Sequence, residues 1–100
     1  AAMVAFTEQL AITNAAHGVR ANAILPGLMD TPMAIDMRAP LLGQTRAEMV
    51  EARNKRVPLR NRMGTAWDVA HAALYLASDE SGFVSGISLR VDGAAGVNVG

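Results

Sequence analysis

The sequence has no cysteine in its 100 residues, which removes disulfide frameworks and thiolate metal sites and fits a reducing compartment. Aromatics are scarce, with one Trp, one Tyr and two Phe, so a core must be built from small aliphatic side chains. Charge of one sign is missing too: nine basic and nine acidic residues cancel. Nothing global therefore steers the chain to nucleic acid or an anionic membrane. No apolar run approaches the roughly 18 to 20 residues a bilayer span needs. These absences predict a protein with neither membrane nor nucleic-acid partners, and a cytoplasmic location. The opening Ala1-Ala2-Met3-Val4 has no initiator Met and no basic segment ahead of an apolar stretch, so it reads as a cut end and not as a signal peptide.

What is present is 51% hydrophobic residues, enough for one modest core at most. Residues 1–16 predict a helix, with Met3, Phe6, Leu10 and Ala11 at three- and four-residue spacing. Val4, Ala5 and Ile12 make other faces apolar, which predicts cover on more than one side. Gly18 suits the left-handed position that ends such a helix, with His17 near its last carbonyls. Val19 to Leu25 predicts a buried strand that Pro26-Gly27 terminates.

A long irregular stretch from Leu28 to Gln44 follows, of the length usual for lids and binding loops. Within it Thr31-Pro32 is a cap-and-first-position pattern for a short helix. Thr45-Arg46-Ala47-Glu48 is a capping box and predicts a helix over 46–56. Thr65 to Asp68 opens a further helix whose stripe is Val69, Ala70, Ala73, Leu74 and Ala77. The alternation of Ile87, Leu89 and Val91 predicts a last strand. The order is thus helix, strand, loop, helix, helix, strand. Two strands separated by helices imply an α/β fold with a parallel sheet, and two strands cannot cover those helices, so further strands are expected upstream.

Residues 17–31, His-Gly-Val-Arg-Ala-Asn-Ala-Ile-Leu-Pro-Gly-Leu-Met-Asp-Thr, resemble the Gly-Ile-Arg-Val-Asn … Pro-Gly … Thr segment of the short-chain dehydrogenases/reductases. Residues 57–70 are similar to that family's Pro-Leu-x-Arg-x-Gly stretch ahead of an acidic-Val-Ala helix. Leu-Ala-Ser-Asp-Glu (76–80), Val-Ser-Gly (84–86) and Val-Asp-Gly (91–93) follow in order and spacing.

The resemblance covers essentially the whole chain. It implies the C-terminal portion of a Rossmann-type doubly wound parallel sheet: residues 1–100 as part of a single NAD(P)-binding domain, with the substrate loop in 28–56. The implied activity is hydride transfer between NAD or NADP and an alcohol or carbonyl substrate. In the family a Tyr-x-x-x-Lys motif directly precedes a helix such as the first one here. Tyr75 and Lys55, the single tyrosine and lysine of this chain, do not stand in that arrangement, so catalytic Tyr and Lys are expected outside it and the fragment itself is expected to be inactive.

By the same resemblance Pro26, Gly27, Leu28, Met29 and Thr31 contact the nicotinamide end of the cofactor. The backbone at Leu28 and Met29 and the Thr31 hydroxyl would hydrogen-bond its carboxamide. Gly27 lets backbone approach a flat ring, and Pro26 fixes the exit from the strand. Met33, Ile35 and Met37, with Leu41 and Leu42, are candidates for an apolar substrate wall. The family's first helix, last helix and last strand often meet a neighbouring subunit, which implies a homo-oligomer, dimer or tetramer.

Each residue also has a plainer reading. Pro26-Gly27 alone is a strand terminator, and Asn22 a hydrogen-bonded structural amide. His17 and His71 have no ligand cluster around them. Glu48 and Asp68 are first-turn helix charges and not a catalytic pair. Trp67 reads as a packing anchor. The basic stretch Arg53, Lys55, Arg56, Arg60, Arg62 lacks interleaved aromatics and reads as a solvated face. The alternative function is a non-catalytic module whose helices and last strand serve in subunit assembly.

Overall fold

The computed structural model describes residues 1–97. Helix α1 (Ala2–Asn14) tightens into a single 3-10 turn, Ala15–His17, and stops at Gly18, whose φ of 76° is the left-handed cap the sequence calls for. Strand β1 (Ala23–Pro26) pairs in parallel with β2 (Ser88–Val91), in the register Ala23 to Ser88 through Pro26 to Val91. Between them lie α2 (Arg46–Asn54) and α3 (Ala66–Ala77). The α/β order and the parallel pairing are those expected. The strand starts later than the predicted Val19–Leu25, because residues 20–22 are tied to the 78–87 segment by side chains and by one backbone bond, Gly86 N to Ala21 O at 2.8 Å, instead of a continuous ladder. Arg20 donates to the carbonyls of Val84 and Ser78, both at 3.2 Å. Asn22 donates to Val84 O at 3.0 Å and accepts from Ile87 N at 3.1 Å, a structural amide bonded through both its nitrogen and its oxygen.

The stretch from 28 to 44 is less irregular than expected. Thr31 caps a five-residue π-helical turn, Pro32–Asp36, by accepting from Ala34 N at 3.2 Å, and Pro32 takes the first position. A 3-10 turn follows at Pro40–Leu42. Thr45 and Glu48 form the complete capping box of α2, with Glu48 Oε1 accepting from Thr45 N at 2.9 Å and Thr45 Oγ1 from Glu48 N at 3.1 Å. These bonds favour the ionised form of Glu48 and hold its pKa below the usual carboxylate range. Helix α2 ends at Asn54, two residues before Arg56. At α3 the shorter Asp68 reaches back to Thr65 N at 2.8 Å, so an aspartate still closes one arm of the box.

The main packed cluster lies in the long connection: Ile35, Ala39, Met49, Val57 and Met63 are buried, with Leu28, Ala34 and Val50 against them. The helices around the strands are much less covered. On α1 the inner face is Thr7 and Ala11, while Met3, Phe6, Leu10 and Ile12 are exposed. On α3 it is Leu76, with Val69 and Ala72 half-buried, so the predicted stripe through Ala70, Ala73 and Leu74 is rotated away from the sheet; Leu74 is 70% exposed. Ile87 precedes the ladder and is exposed, leaving Leu89 and Val91 as the half-buried positions. Trp67 is no packing anchor here: it is exposed, with the His71 ring tilted beside it at 6.4 Å between centroids.

A two-stranded sheet has one inner flank for each helix, and sequences apolar all round keep their other faces in solvent. The radius of gyration, 16.4 Å, exceeds the about 13 Å of a compact 100-residue domain, as such incomplete layering requires. No helix among the described residues is long and apolar enough to cross a membrane.

Candidate functional site

The end of β1 is set by two close approaches. At Gly27 a Cβ would fall 2.6 Å from Asp92 Cβ and 2.8 Å from Asp92 Cα, so a side chain there would collide with the end of β2. The Gly27 amide meanwhile donates to Val91 O at 3.0 Å. The glycine is therefore required by the strand pair itself. Two residues on, Met29 bridges Gly64: Gly64 N donates to Leu28 O at 3.2 Å, and Asp30 N donates to Gly64 O at 2.9 Å. Gly64 in turn has Met29 Sδ 2.7 Å from where its Cβ would be. Residues 26–31 are thus fixed from both sides, by Asp92 at the sheet and by Gly64 ahead of α3.

Asp92 holds the far wall through its own carboxylate. Oδ1 accepts from Ala94 N at 3.1 Å and Oδ2 from Gly96 N at 2.9 Å. Beside it Gly93, at φ 60°, carries a carbonyl that accepts from Leu59 N at 3.0 Å, with Val57 Cγ1 2.6 Å from its would-be Cβ. The Val57-Pro58-Leu59 segment is in this way zipped to the Val-Asp-Gly turn. Two segments that the sequence singles out separately meet here. A cavity of about 700 Å³ opens beneath them, bounded by Met29, Met63, Gly64, Thr65, Leu89 and Asp92. Of the five candidate cofactor residues it touches only Met29. The candidate site is therefore defined by the 26–31 backbone and not by this cavity.

Along that backbone the amide groups of Leu28 and Met29 donate to no partner among the described residues. Thr31 has used one lone pair on Ala34 N and keeps its hydroxyl proton. Pro26 has no amide proton to offer. Met33 and Met37 are exposed on the π-helical turn, as are Leu41 and Leu42 beyond it. Ile35 is 0% exposed at the heart of the packed cluster, so it anchors the loop from below, and the open apolar positions are Met33 and Met37.

Sequence reasoning missed Arg46. Its Nη2 lies 2.6 Å from Asp30 Oδ1 and its Nε 2.8 Å from Asp36 Oδ1. The hydrogen bond to Asp36 and the charge of Asp30 hold the guanidinium above its ordinary pKa. The one available signal was a cation in the first position of a helix, where the dipole favours an anion. Among the described residues no group of three or more His, Asp or Glu side chains is placed to hold a metal ion.

A parallel β1–β2 pair with α1 and α3 against it, and a strand leaving through Pro-Gly into a capped loop, is part of a Rossmann-type α/β domain. Residues 1–97 match the sequence family described as enoyl-(acyl carrier protein) reductase. The chain is 38% identical over 87 residues to an uncharacterised oxidoreductase, YxbG, of Bacillus subtilis, covering 87% of this chain and 32% of that protein. It is also 38% identical over 92 residues to the inactive 2-(S)-hydroxypropyl-CoM dehydrogenase 2 of Xanthobacter autotrophicus, covering 92% of this chain and 39% of that one. Among solved structures, a short-chain dehydrogenase family protein from Francisella tularensis superposes with a TM-score of 0.87 at 29% identity, over 97% of this chain and 41% of its own. The chain belongs to the short-chain dehydrogenase/reductase family of oxidoreductases. It spans between about a third and two fifths of the length of these relatives.

Proposed function

We propose that this chain forms the nicotinamide-binding and substrate-loop part of an NAD(P)-dependent oxidoreductase acting on an alcohol or carbonyl compound. The observation that carries the reading is the pair of amide N–H groups at Leu28 and Met29 that have no partner among the described residues, beside a Thr31 hydroxyl that still has its proton. Two adjacent main-chain donors and a hydroxyl two residues on, carried by a backbone clamped by Asp92 and Gly64, suit the carbonyl oxygen of a carboxamide. When bound, the cofactor supplies or accepts the hydride. The chain's own part is orientation, since the face of the ring presented to substrate decides which hydride moves. Gly27 and Pro26 fix where the donors stand, and Met33 and Met37 offer an apolar flank for the substrate.

The general acid/base Tyr and its Lys belong outside these 100 residues, so the 100 residues alone turn over no substrate and bind no nicotinamide cofactor tightly. The exposed apolar faces of α1 and α3 are, in this reading, covered by the rest of the sheet and by neighbouring subunits of a homo-oligomer in the cytoplasm.

The test is NAD(P)H-dependent turnover of a panel of carbonyl compounds by the intact protein, with Thr31→Ser and Thr31→Val beside the wild type. Serine keeps the cap and the donor and should keep the cofactor KM; valine should raise it. Turnover in which both variants match the wild type would remove Thr31 from the site.

The second reading, a non-catalytic assembly module, draws on the identity to a relative that is itself named inactive and on the uncovered faces of α1 and α3. It predicts wild-type oligomerisation with no turnover under either cofactor.

A further inference from the structure

Arg46 is placed against local preference. As the first residue of α2 it sits where the helix dipole repels a cation, and among the described residues the carboxylates it bonds come from other segments: Asp30, 16 residues earlier, and Asp36, 10 residues earlier. The two ends of the guanidinium are divided between them, Nη2 to Asp30 and Nε to Asp36. Asp30 lies directly before Thr31 and is bonded through its amide to Gly64. Asp36 closes the π-helical turn that Thr31 caps. One planar side chain therefore ties the segment with the free donors, the turn carrying Met33 and Met37, and the start of α2. Removing the cation would leave two carboxylates drawn together with nothing between them.

The clamp lies outside the packed cluster. Ile35, Ala39 and Met49 hold α2 to the loop from below, whereas Arg46, Asp30 and Asp36 retain 51%, 35% and 47% of their side-chain exposure. Of the backbone bonds of residues 37–45, those donated by Leu42, Gly43 and Gln44 stay within that stretch, Met37 and Ala39 donate back to Pro32 O and Ile35 O of the turn, and Thr45 O accepts from Met49 N, so none of them reaches Asp30. The cluster thus keeps the segment folded and the clamp decides where its rim stands.

We infer that Arg46 is a positioning residue: by bridging Asp30 and Asp36 it latches the substrate loop onto the nicotinamide-contacting segment, so that loop closure and cofactor orientation are coupled through one salt-sensitive side chain. The inference rests on the reading of residues 28–31 given above.

The test is amide hydrogen exchange of the intact protein, read by mass spectrometry over segments covering 28–46, for wild type, Arg46→Gln, Arg46→Lys and Asp36→Asn, together with KM for NAD(P)H and kcat. Glutamine should speed exchange in 28–46 and raise the cofactor KM by about two- to fivefold, the size of effect expected of exposed ion pairs, with kcat moving less and α1 and α3 exchanging as before. Lysine keeps the charge but cannot divide a planar fork between two carboxylates, and should fall between. Asp36→Asn should lose half the latch and also fall between. Salt near 1 M, where the screening length is about 3 Å, weakens both the bridge in the wild type and the Asp30–Asp36 repulsion in the glutamine variant, and should narrow the difference between the two in exchange over 28–46. Wild-type exchange and KM in Arg46→Gln would overturn the inference while the proposed function stands. Altered exchange with an unaltered cofactor KM would equally overturn it, because the coupling would be absent. No NAD(P)H-dependent turnover in the wild type would remove both.

Discussion

Replacing Gly27 by alanine separates two reasons for a glycine after a strand. One is that the backbone must approach a flat ligand; the other is that it must approach Asp92. The distances of 2.6 and 2.8 Å to Asp92 Cβ and Cα are about 1 Å short of a normal carbon–carbon contact. Both contacting atoms lie on or next to the main chain, so no side-chain rotation relieves them. The ends of β1 and β2 must part by about that much, at the roughly 1–3 kcal/mol typical of overpacking. The Gly27–Val91 bond of 3.0 Å is stretched in the process, for a further 0.5–1.5 kcal/mol or so. The total is on the order of 1.5–4.5 kcal/mol, to be read by urea denaturation of the intact protein.

Because the donors at Leu28 and Met29 follow directly, a shift of about 1 Å should also lower kcat/KM, by up to about a hundredfold. Gly18→Ala is the control: its φ of 76° makes alanine cost about 1–2 kcal/mol, but nothing lies within 4 Å of the new methyl, so kcat/KM should hold. Asp92→Gly removes the nearer of the two clashing atoms but also the carboxylate that accepts from Ala94 N and Gly96 N, so the double variant should be less destabilised than the sum of the two single changes. Wild-type stability in Gly27→Ala would refute the close-approach argument.

Other outcomes follow from the same geometry. Ile35→Ala empties the centre of the loop cluster and should cost about 2–5 kcal/mol, measured by denaturation, with faster amide exchange over 28–57. Thr45→Ala should cost about 1 kcal/mol through the lost cap. Glu48 has its pKa lowered in the folded protein by the hydrogen bonds of Thr45, so its contribution is complete above the ordinary glutamate value and fades as pH falls through the lower folded one. Glu48→Gln should therefore flatten the acid limb of the stability–pH curve. Ser88 Oγ is buried without a partner among the described residues, and Ser88→Ala should be neutral or stabilising by up to about 1 kcal/mol in a melting experiment.

Local signals in the sequence were informative where a few adjacent residues decide the outcome. The Gly18 cap, the Thr31-Pro32 start, the Thr45–Glu48 box and the hydrogen-bonded Asn22 each depend on neighbours or on a backbone that any strand supplies. Parallel pairing followed from element order. What could not be read depended on partners far along the chain. The face of α3 that turns inward is set by the position of β1 and β2 and not by where its own apolar residues fall, because Ala70, Ala73, Leu74 and Leu76 are alike in kind. The start of β1 was misplaced because Arg20 and Asn22 spend their side chains on the 78–87 segment. Gly27 was legible as a glycine that must be one, but its neighbour Asp92 is 65 residues away in sequence. Ile35 among the methionines looked like another wall residue; only the burial of Met49 and Val57 against it shows otherwise. The Arg46 bridge needs Asp30 and Asp36 brought together by a π-helical turn that no periodicity announces.

The central claim is that residues 26–31 present their free donors to a nicotinamide ring. Its most direct test is a backbone amide NMR titration of the isotopically labelled intact protein with NAD and with NADP. The account predicts that the preferred cofactor shifts the Leu28 and Met29 amides most within this chain, with Thr31 following and α2 beyond Arg46 little changed. Saturable cofactor binding that leaves Leu28 and Met29 unmoved would contradict it.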